Sequence, residues 1–222
     1  FVSGQSAYTS MIFSILSFMI GIPSAIKVFN WVATLYKGQI TLTAPMLYAL
    51  GFIGLFTIGG LSGFFIAALA VDVHLHDTFF VIGHFHYIMV GGALMAYLGG
   101  IHFWWPKITG KLYSEKMAKW AAVLLFIGFN VTFFPQLILG YLGMPRRYAS
   151  YPESFRALNI LSTSGLIFLG IGYILPIYYL GKSLWDPKQA PPNPWDARGL
   201  EWQTSSPPPP ENFTGTIQVP AD

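Results

Sequence analysis

The chain has 222 residues, of which 54% are hydrophobic and only 9% are charged. A typical soluble domain has about 25% charged residues, so this composition excludes a soluble surface and predicts an all-α protein that crosses a membrane several times. The net charge of +3 does not indicate a nucleic-acid partner, and the absence of cysteine excludes disulfides, thiolate zinc sites and iron–sulfur clusters.

Long stretches with few or no charged side chains predict five membrane-spanning helices, since a span needs about 20 apolar residues. A β-barrel would instead show alternating segments of about 10 residues. The helices are expected near residues 8–36, 43–70, 80–106, 117–142 and 157–182. The sequence thus divides into a membrane region, residues 1–185, and a polar, proline-rich tail, residues 186–222, which is predicted to be extended with no core of its own.

The charges in the loops predict how the helices are oriented. Lysines lie in one set of alternate loops, and the other set contains the aspartates and arginines near positions 72–77 and 146–156. Because lysine-rich loops remain in the cytoplasm, the C-terminus is predicted to be cytoplasmic and the two aspartate and arginine loops to lie outside. The lysines are Lys37, Lys107, Lys111, Lys116, Lys119, Lys182 and Lys188.

Lys27 is the first unusual residue along the chain, because it interrupts an apolar stretch. If the helix continues to Lys37, Lys27 lies about 15 Å deeper, near the middle of a hydrocarbon layer about 30 Å thick. A lysine at that depth needs a polar path, and Ser24 lies on the same helix face. The alternative is a helix that ends near Lys27, with residues 28–36 lying flat at the interface.

His76 and Asp77 precede the third predicted helix and offer two ligands for a metal ion. Two ligands are too few for a closed site, so a second chain would have to supply the others. Alternatively, Asp77 caps the helix by accepting its first amide hydrogens. His74 is interpreted as a loop residue.

His84 and His86 lie inside the third predicted helix. Residues two apart on a helix point about 200° apart, so these imidazoles cannot chelate one ion but could each ligate a separate cofactor. Heme suits one axial imidazole on each face, and Phe85 between them could assist electron transfer. The alternative is a pair of interfacial histidines that bond to carbonyls.

Arg146 and Arg147 follow the fourth predicted helix, on the same predicted side as Asp77. Two adjacent guanidinium groups match two carboxylates, such as heme propionates, or phosphates. The alternative is that they bind lipid headgroups.

Three segments together resemble subunit I of the heme-copper oxidases, in particular the cytochrome c oxidases. These segments are residues 71–87, which contain His-Phe-His, residues 143–148, which read Gly-Met-Pro-Arg-Arg-Tyr, and residues 22–29 around Lys27. The resemblance extends over residues 1–185, and the His-Phe-His motif with its leader is highly specific. It implies that the chain is the last five of twelve helices, in the cell membrane of a bacterium.

The resemblance also implies roles for individual residues. His84 would be the proximal ligand of the high-spin, oxygen-reducing heme, and His86 an axial ligand of the low-spin heme. His76 and Asp77 would bind magnesium at the boundary with subunit II. Arg146 and Arg147 match the family's propionate-binding pair, and Lys27, with Ser24 where many members have Thr, matches the K proton pathway.

The family's copper ligands are expected upstream of Phe1, so we expect this segment to be inactive alone. The whole enzyme would pass electrons from cytochrome c through both hemes to oxygen and pump protons, together with subunits II and III. A quinol oxidase of the same fold is the first alternative. A cation transporter and a non-catalytic membrane scaffold are alternatives from other classes.

Overall fold

The computed structural model describes residues 1–213 as a bundle of helices joined by short loops. Five of its helical stretches are long and apolar enough to cross a membrane, which confirms the number predicted from the sequence. The α-helices are α1 (Ala7–Leu35), α2 (Ala44–Ala67), α3 (Leu69–Leu75), α4 (Phe79–His86), α5 (Met95–Thr109), α6 (Glu115–Tyr141) and α7 (Arg156–Trp185). A π-helix, Tyr87–Leu94, joins α4 to α5, and 3₁₀ turns lie at Glu153–Phe155 and Leu200–Gln203.

The second predicted helix, residues 43–70, contains a break that was not predicted from the sequence. It ends at Ala67, and the extended backbone of Ala68, with φ −75° and ψ 111°, separates it from α3. His74 therefore lies in a short helix, and its interpretation as a loop residue was wrong. By contrast, α1 continues without a break past Lys27 to Leu35, so the alternative in which it ends near Lys27 was also wrong.

The helix α1 is the least buried of the five spans. The hydroxyl of Ser6 accepts a hydrogen bond from the amide of Thr9 and caps the helix, and the only buried residues of α1 are Ser10 and Ser14. Its large apolar side chains point outward; Phe29, for example, is 71% exposed. A helix in water would instead expose its serines and bury its apolar side chains. Outward-pointing apolar side chains are expected of a helix whose surroundings are apolar.

The core lies between α2, the α4–α5 segment, α6 and α7. Its fully buried large side chains are aromatic and aliphatic residues of α2, the π-helix and α6, namely Tyr48, Leu55, Tyr87, Leu125 and Phe129. A second cluster of buried residues, which includes Ala44, Ala118 and Tyr179, lies where α2 begins, α6 begins and α7 ends.

Glycines let α6 approach its neighbours closely. A Cβ at Gly165 of α7 would lie 2.7 Å from the backbone nitrogen of Thr132, and one at Gly128 of α6 would lie 2.8 Å from the backbone nitrogen of Leu169. At Gly140, a Cβ would collide with the backbone of Phe80 in α4. Helix backbones in contact at such positions are typical of membrane bundles, where small residues form the interfaces.

The tail has little regular structure, as its prolines predict, but residues 186–213 are not detached from the helices. The ammonium group of Lys107, 6% exposed, donates to the carbonyl oxygens of Pro192, Thr204 and Ser205 at 3.0, 2.7 and 3.1 Å. The ring of Trp202 lies 5.1 Å from the same ammonium group. The described part of the tail therefore packs around a side chain of α5 and has no separate core of its own. Residues 214–222 lie outside the described part.

Replacing Gly165 with alanine should separate α6 from α7. The added Cβ meets the backbone of Thr132, which cannot move aside without shifting the helix, so we expect a loss of about 1–3 kcal/mol in the free energy of unfolding. The measurement is the thermal unfolding midpoint of the detergent-solubilised complex that contains this chain.

Gly170→Ala is the matched control on the same helix. A Cβ there meets nothing within 4 Å, and alanine favours helix by up to about 1 kcal/mol, so its midpoint should equal or exceed that of the wild type. Equal losses in the two variants would show that packing between α6 and α7 is not the cause.

Candidate functional site

The imidazole of His84 is held by α2. Its Nδ1 lies 3.0 Å from the carbonyl oxygen of Gly59 and 3.0 Å from the hydroxyl oxygen of Ser62. The Ser62 hydroxyl donates its own hydrogen to the same carbonyl at 2.8 Å. A carbonyl can only accept, so Nδ1 must carry the proton, and the Nε2 lone pair of neutral His84 is left free for a metal ion.

A cavity of about 400 Å³ opens beside His84, between α1 and α2. A Cβ at Gly60, which lines this cavity, would meet nothing within 4 Å, so no neighbouring side chain fills the space beside Gly60. Its other lining residues include Gly21 and Ser24 from α1, Gly63 and Phe64 from α2, and Ile88. Mostly apolar walls around one free imidazole nitrogen suit a large flat ring system such as heme.

His86 faces a different neighbour. Its Nδ1 lies 2.8 Å from the carbonyl oxygen of Ile82, so by the same reasoning its Nε2 is free. Its ring stacks against Phe133 of α6 with centroids 4.1 Å apart and planes at 17°, and against Phe85 at 4.4 Å. His84 thus contacts α2 and His86 contacts α6, as residues two apart on one helix should.

His76 is oriented by a carboxylate of α3. Its Nδ1 lies 3.2 Å from Oδ2 of the buried Asp72, and its Nε2 lies 3.8 Å from Oδ2 of Asp77. A carboxylate on one ring nitrogen and a free second nitrogen is the arrangement that proteins use to aim a histidine at a metal. Among residues 1–213, no group of three His, Asp or Glu side chains could hold a metal ion. Any ion here would therefore need further ligands.

Asp77 is not the helix cap. It has a positive φ of 55° and precedes Thr78, whose hydroxyl accepts from the amide of Phe80 at 3.2 Å and donates to the carbonyl of Leu75 at 2.6 Å. The prediction that Asp77 caps α4 was therefore wrong, and Thr78 has that role. Asp77 is 61% exposed and its carboxylate remains available.

The arginine loop is joined to this segment through the backbone. The amide of Arg146 donates to the carbonyl of Asp77 at 2.9 Å, and the amide of Phe79 donates to the carbonyl of Met144 at 2.9 Å. The Nε atom of Arg146 is buried without a hydrogen-bond partner and lies 3.7 Å from Oδ1 of Asp77. A buried guanidinium nitrogen that has an ion pair with Asp77 but no hydrogen bond has a donor left for a further anionic group such as a propionate. Arg147 is exposed, with a φ of 60°.

Ser24 and Lys27 are placed differently from each other. Ser24 lines the cavity beside His84 and donates to the carbonyl of Ile20 at 3.2 Å. Lys27 lies about 4.5 Å further along the axis of α1, and its side chain is exposed on the surface of this chain. The structure therefore brings Ser24 to the His84 cavity but does not bring Lys27 there.

A buried cluster that was not predicted from the sequence surrounds the fifth histidine, His102. Its Nδ1 lies 2.6 Å from the carbonyl of Leu98, and its Nε2 bonds to the hydroxyl of Tyr179. Its ring stacks on Tyr48 at 4.8 Å, and its carbonyl accepts from Tyr113 at 3.0 Å. Burial raises the pKa of the Tyr113 phenol. A histidine in an apolar stretch was the available signal, but nothing in the sequence indicated which helices would meet it.

Residues 1–168 match the family described as Cytochrome C and Quinol oxidase polypeptide I. The chain belongs to this family. The sequence resemblance to subunit I of the heme-copper oxidases is thereby confirmed.

Individual relatives agree with that assignment. The chain is 44% identical over 213 residues to cytochrome c oxidase subunit 1 of Synechocystis sp., covering 96% of this chain and 39% of the relative. It is 43% identical over 216 residues to cytochrome c oxidase subunit 1 of Bacillus subtilis, covering 96% and 35%. It is 41% identical over 224 residues to quinol oxidase subunit 1 of Bacillus spizizenii, covering 99% and 34%.

The fold agrees as well. A heme-copper terminal oxidase dimer solved by cryo-EM aligns with a TM-score of 0.75 over 83% of this chain and 38% of its own, at 21% identity. This likeness confirms the all-α membrane fold. The chain spans less than two fifths of the length of the relatives above.

Removing the cap of α4 should loosen the segment that carries both histidines. Thr78→Ala deprives the amide of Phe80 of its partner and leaves the carbonyl of Leu75 with only the backbone amide of residue 78, so we expect a loss of about 0.5–2 kcal/mol in stability. Thr78→Ser keeps the hydroxyl and should stay close to the wild type. Thermal unfolding of the solubilised complex measures both, and equal midpoints for the two variants would contradict the capping role.

Proposed function

We propose that this chain supplies the heme-binding helices of the catalytic subunit of a terminal respiratory oxidase. In this proposal His84 is the axial ligand of the high-spin heme and His86 an axial ligand of the low-spin heme. The observation that supports it is that both imidazoles have Nδ1 bonded to a carbonyl and Nε2 free, while they contact different helices.

When bound, the two hemes, with a copper ion whose ligands lie outside this chain, would carry electrons from a donor to oxygen and form water. This chain's part is to hold and orient. The Nδ1 bond of His84 fixes its tautomer and strengthens the basicity of Nε2. Mostly apolar residues line the cavity beside it, and the stacked ring of Phe133 limits rotation of His86.

The arginine loop would neutralise the propionates of the hemes. The buried Nε of Arg146, which has no hydrogen-bond partner, supports this assignment, and Arg147 would contribute a second positive charge. His76 and Asp77 would bind magnesium with ligands from subunit II, which is consistent with their having too few partners of their own.

Proton uptake would pass Lys27 and Ser24. On the predicted orientation the lysine-rich loops and the tail are cytoplasmic, so protons would enter from that side and reach Ser24 at the His84 cavity. Since Lys27 is exposed on this chain alone, the path would be completed by the rest of subunit I. Subunits II and III and a bacterial cell membrane complete the proposed assembly.

Substitution of each ligand should remove a different heme. In the complete complex, His84→Ala should lose the high-spin heme and its ligand-induced absorbance change, while His86→Ala should lose the low-spin bands. Each should fall from two hemes per complex to about one, as measured by pyridine hemochrome assay and the reduced-minus-oxidised spectrum.

His74→Ala is the control, because this exposed histidine lies on α3 outside the proposed ligand set. It should retain both hemes. Two intact hemes in His84→Ala and His86→Ala would overturn the proposal, and a complex without heme in the wild type would favour the transporter or scaffold alternatives.

The electron donor is proposed to be cytochrome c, with a quinol as the second candidate. Quinol oxidase relatives are nearly as similar to this chain, at 41% and 42% identity, as the cytochrome c oxidase relatives at 44% and 43%. Oxygen uptake by the purified complex with reduced cytochrome c and with a soluble quinol, measured separately, should show turnover with cytochrome c. Turnover with quinol alone would establish the second candidate.

A further inference from the structure

The break between α2 and α3 leaves backbone polar groups on both of its sides without helical partners, among them the carbonyl of Ala67 and the amide of Leu69. Because Ala68 is extended, the amide of Val71 donates to the carbonyl of Ala68 at 2.9 Å and not to that of Ala67. The carbonyl of Ala67 and the amide of Leu69 therefore both need partners outside their own helices. In an apolar medium each group left unsatisfied costs several kcal/mol in free energy.

One side chain of α1 satisfies both groups. The hydroxyl of Ser14 donates to the carbonyl of Ala67 at 2.7 Å and accepts from the amide of Leu69 at 3.3 Å. Ser14 is only 9% exposed, although α1 otherwise contributes little to the interior. A hydroxyl is suited to this contact because it donates and accepts through one atom.

The bonds of Ser14 are made to the residues on either side of the break, and the helical bonds of α3 follow directly after them. The amide of Asp72 donates to the carbonyl of Ala68 at 2.8 Å, and the amide of His76 to the carbonyl of Asp72 at 2.6 Å. The carboxylate of Asp72 then meets Nδ1 of His76, whose Nε2 is left facing the carboxylate of Asp77. A rotation of α3 about the break would carry Asp72 and His76 together and change their position relative to Asp77, whose carbonyl is bonded to the amide of Arg146.

We propose that Ser14 is a positioning residue for a divalent-cation site at His76 and Asp77. It acts through the backbone of Ala67 and Leu69 and touches neither ligand. The inference rests on the proposed function for the cation itself, but the hold on the break can be measured independently.

The test uses the complete oxidase complex and compares Ser14→Ala with Ser14→Thr, which retains the hydroxyl. The first readout is hydrogen–deuterium exchange of peptides covering residues 68–76. The second is the affinity for Mn²⁺, followed by its electron paramagnetic resonance spectrum. Ser14→Ala should exchange faster over residues 68–76 and bind Mn²⁺ about tenfold more weakly, within the range seen when supporting contacts of metal ligands are removed.

Two controls separate positioning from general loosening. Ser10→Ala removes the other buried hydroxyl of α1, one turn away, and should leave both readouts unchanged. Ser14→Thr should match the wild type in both. The heme content of every variant should remain at the wild-type value, because α4, the helix that carries both histidines, is capped by Thr78 and not by Ser14.

Unchanged exchange in Ser14→Ala would overturn the inference, since the break would then not depend on the hydroxyl. Faster exchange with unchanged Mn²⁺ affinity would also overturn it, because Ser14 would then hold α3 without positioning the ligands. If His76→Ala binds Mn²⁺ as well as the wild type does, the metal assignment of the proposed function fails and the positioning role fails with it. The exchange data would then still decide whether Ser14 holds the break.

Discussion

Every backbone or side-chain polar group inside this apolar bundle needs a partner, because lipid offers none. That constraint accounts for most of the polar contacts in the structure. Ser14 satisfies two of the backbone groups released at the α2–α3 break, Thr78 caps α4, and the carbonyl of Gly59 accepts from Nδ1 of His84. The same bonds that satisfy the backbone also orient the imidazoles, so the stability of the bundle and the proposed binding of metals depend on the same atoms. The Nε of Arg146 is one of five buried side-chain atoms in residues 1–213 that have no hydrogen-bond partner, and its ion pair is with Asp77.

Composition and periodicity were enough to predict the helices. Low charge and long apolar stretches give five spans with ends within a few residues of those observed, because helix length in a membrane is set by the thickness of the hydrocarbon layer. The break at Ala68 could not be predicted in this way. Ala68 is a good helix former, and the hydroxyl that bonds the groups at the break belongs to Ser14, 54 positions earlier in the chain, on α1.

The candidate site was predictable where geometry within one helix decides it. The two-residue spacing of His84 and His86 fixes their divergence whatever surrounds them. The carbonyls that select the tautomers of His84 and His86 lie on α2 and on the preceding turn of α4, respectively. Asp72 orients His76 because α3 is helical, and this helix was not predicted as a separate element. The cluster around His102 depends on α2, α5 and α7 meeting, which no local pattern encodes.

The three carbonyls that surround Lys107 come from positions 192 to 205, well after the helix that carries the ammonium group. During synthesis that ammonium group is therefore made long before its acceptors exist. It must stay hydrated, or be held by a lipid phosphate, until the ribosome has released the later residues. The order of the chain thus sets the order of assembly at this end of the bundle. The last span, which contains α7, is synthesised before the acceptors of Lys107, and the ammonium group on α5 can lose its hydration only after residues 192–205 have been made.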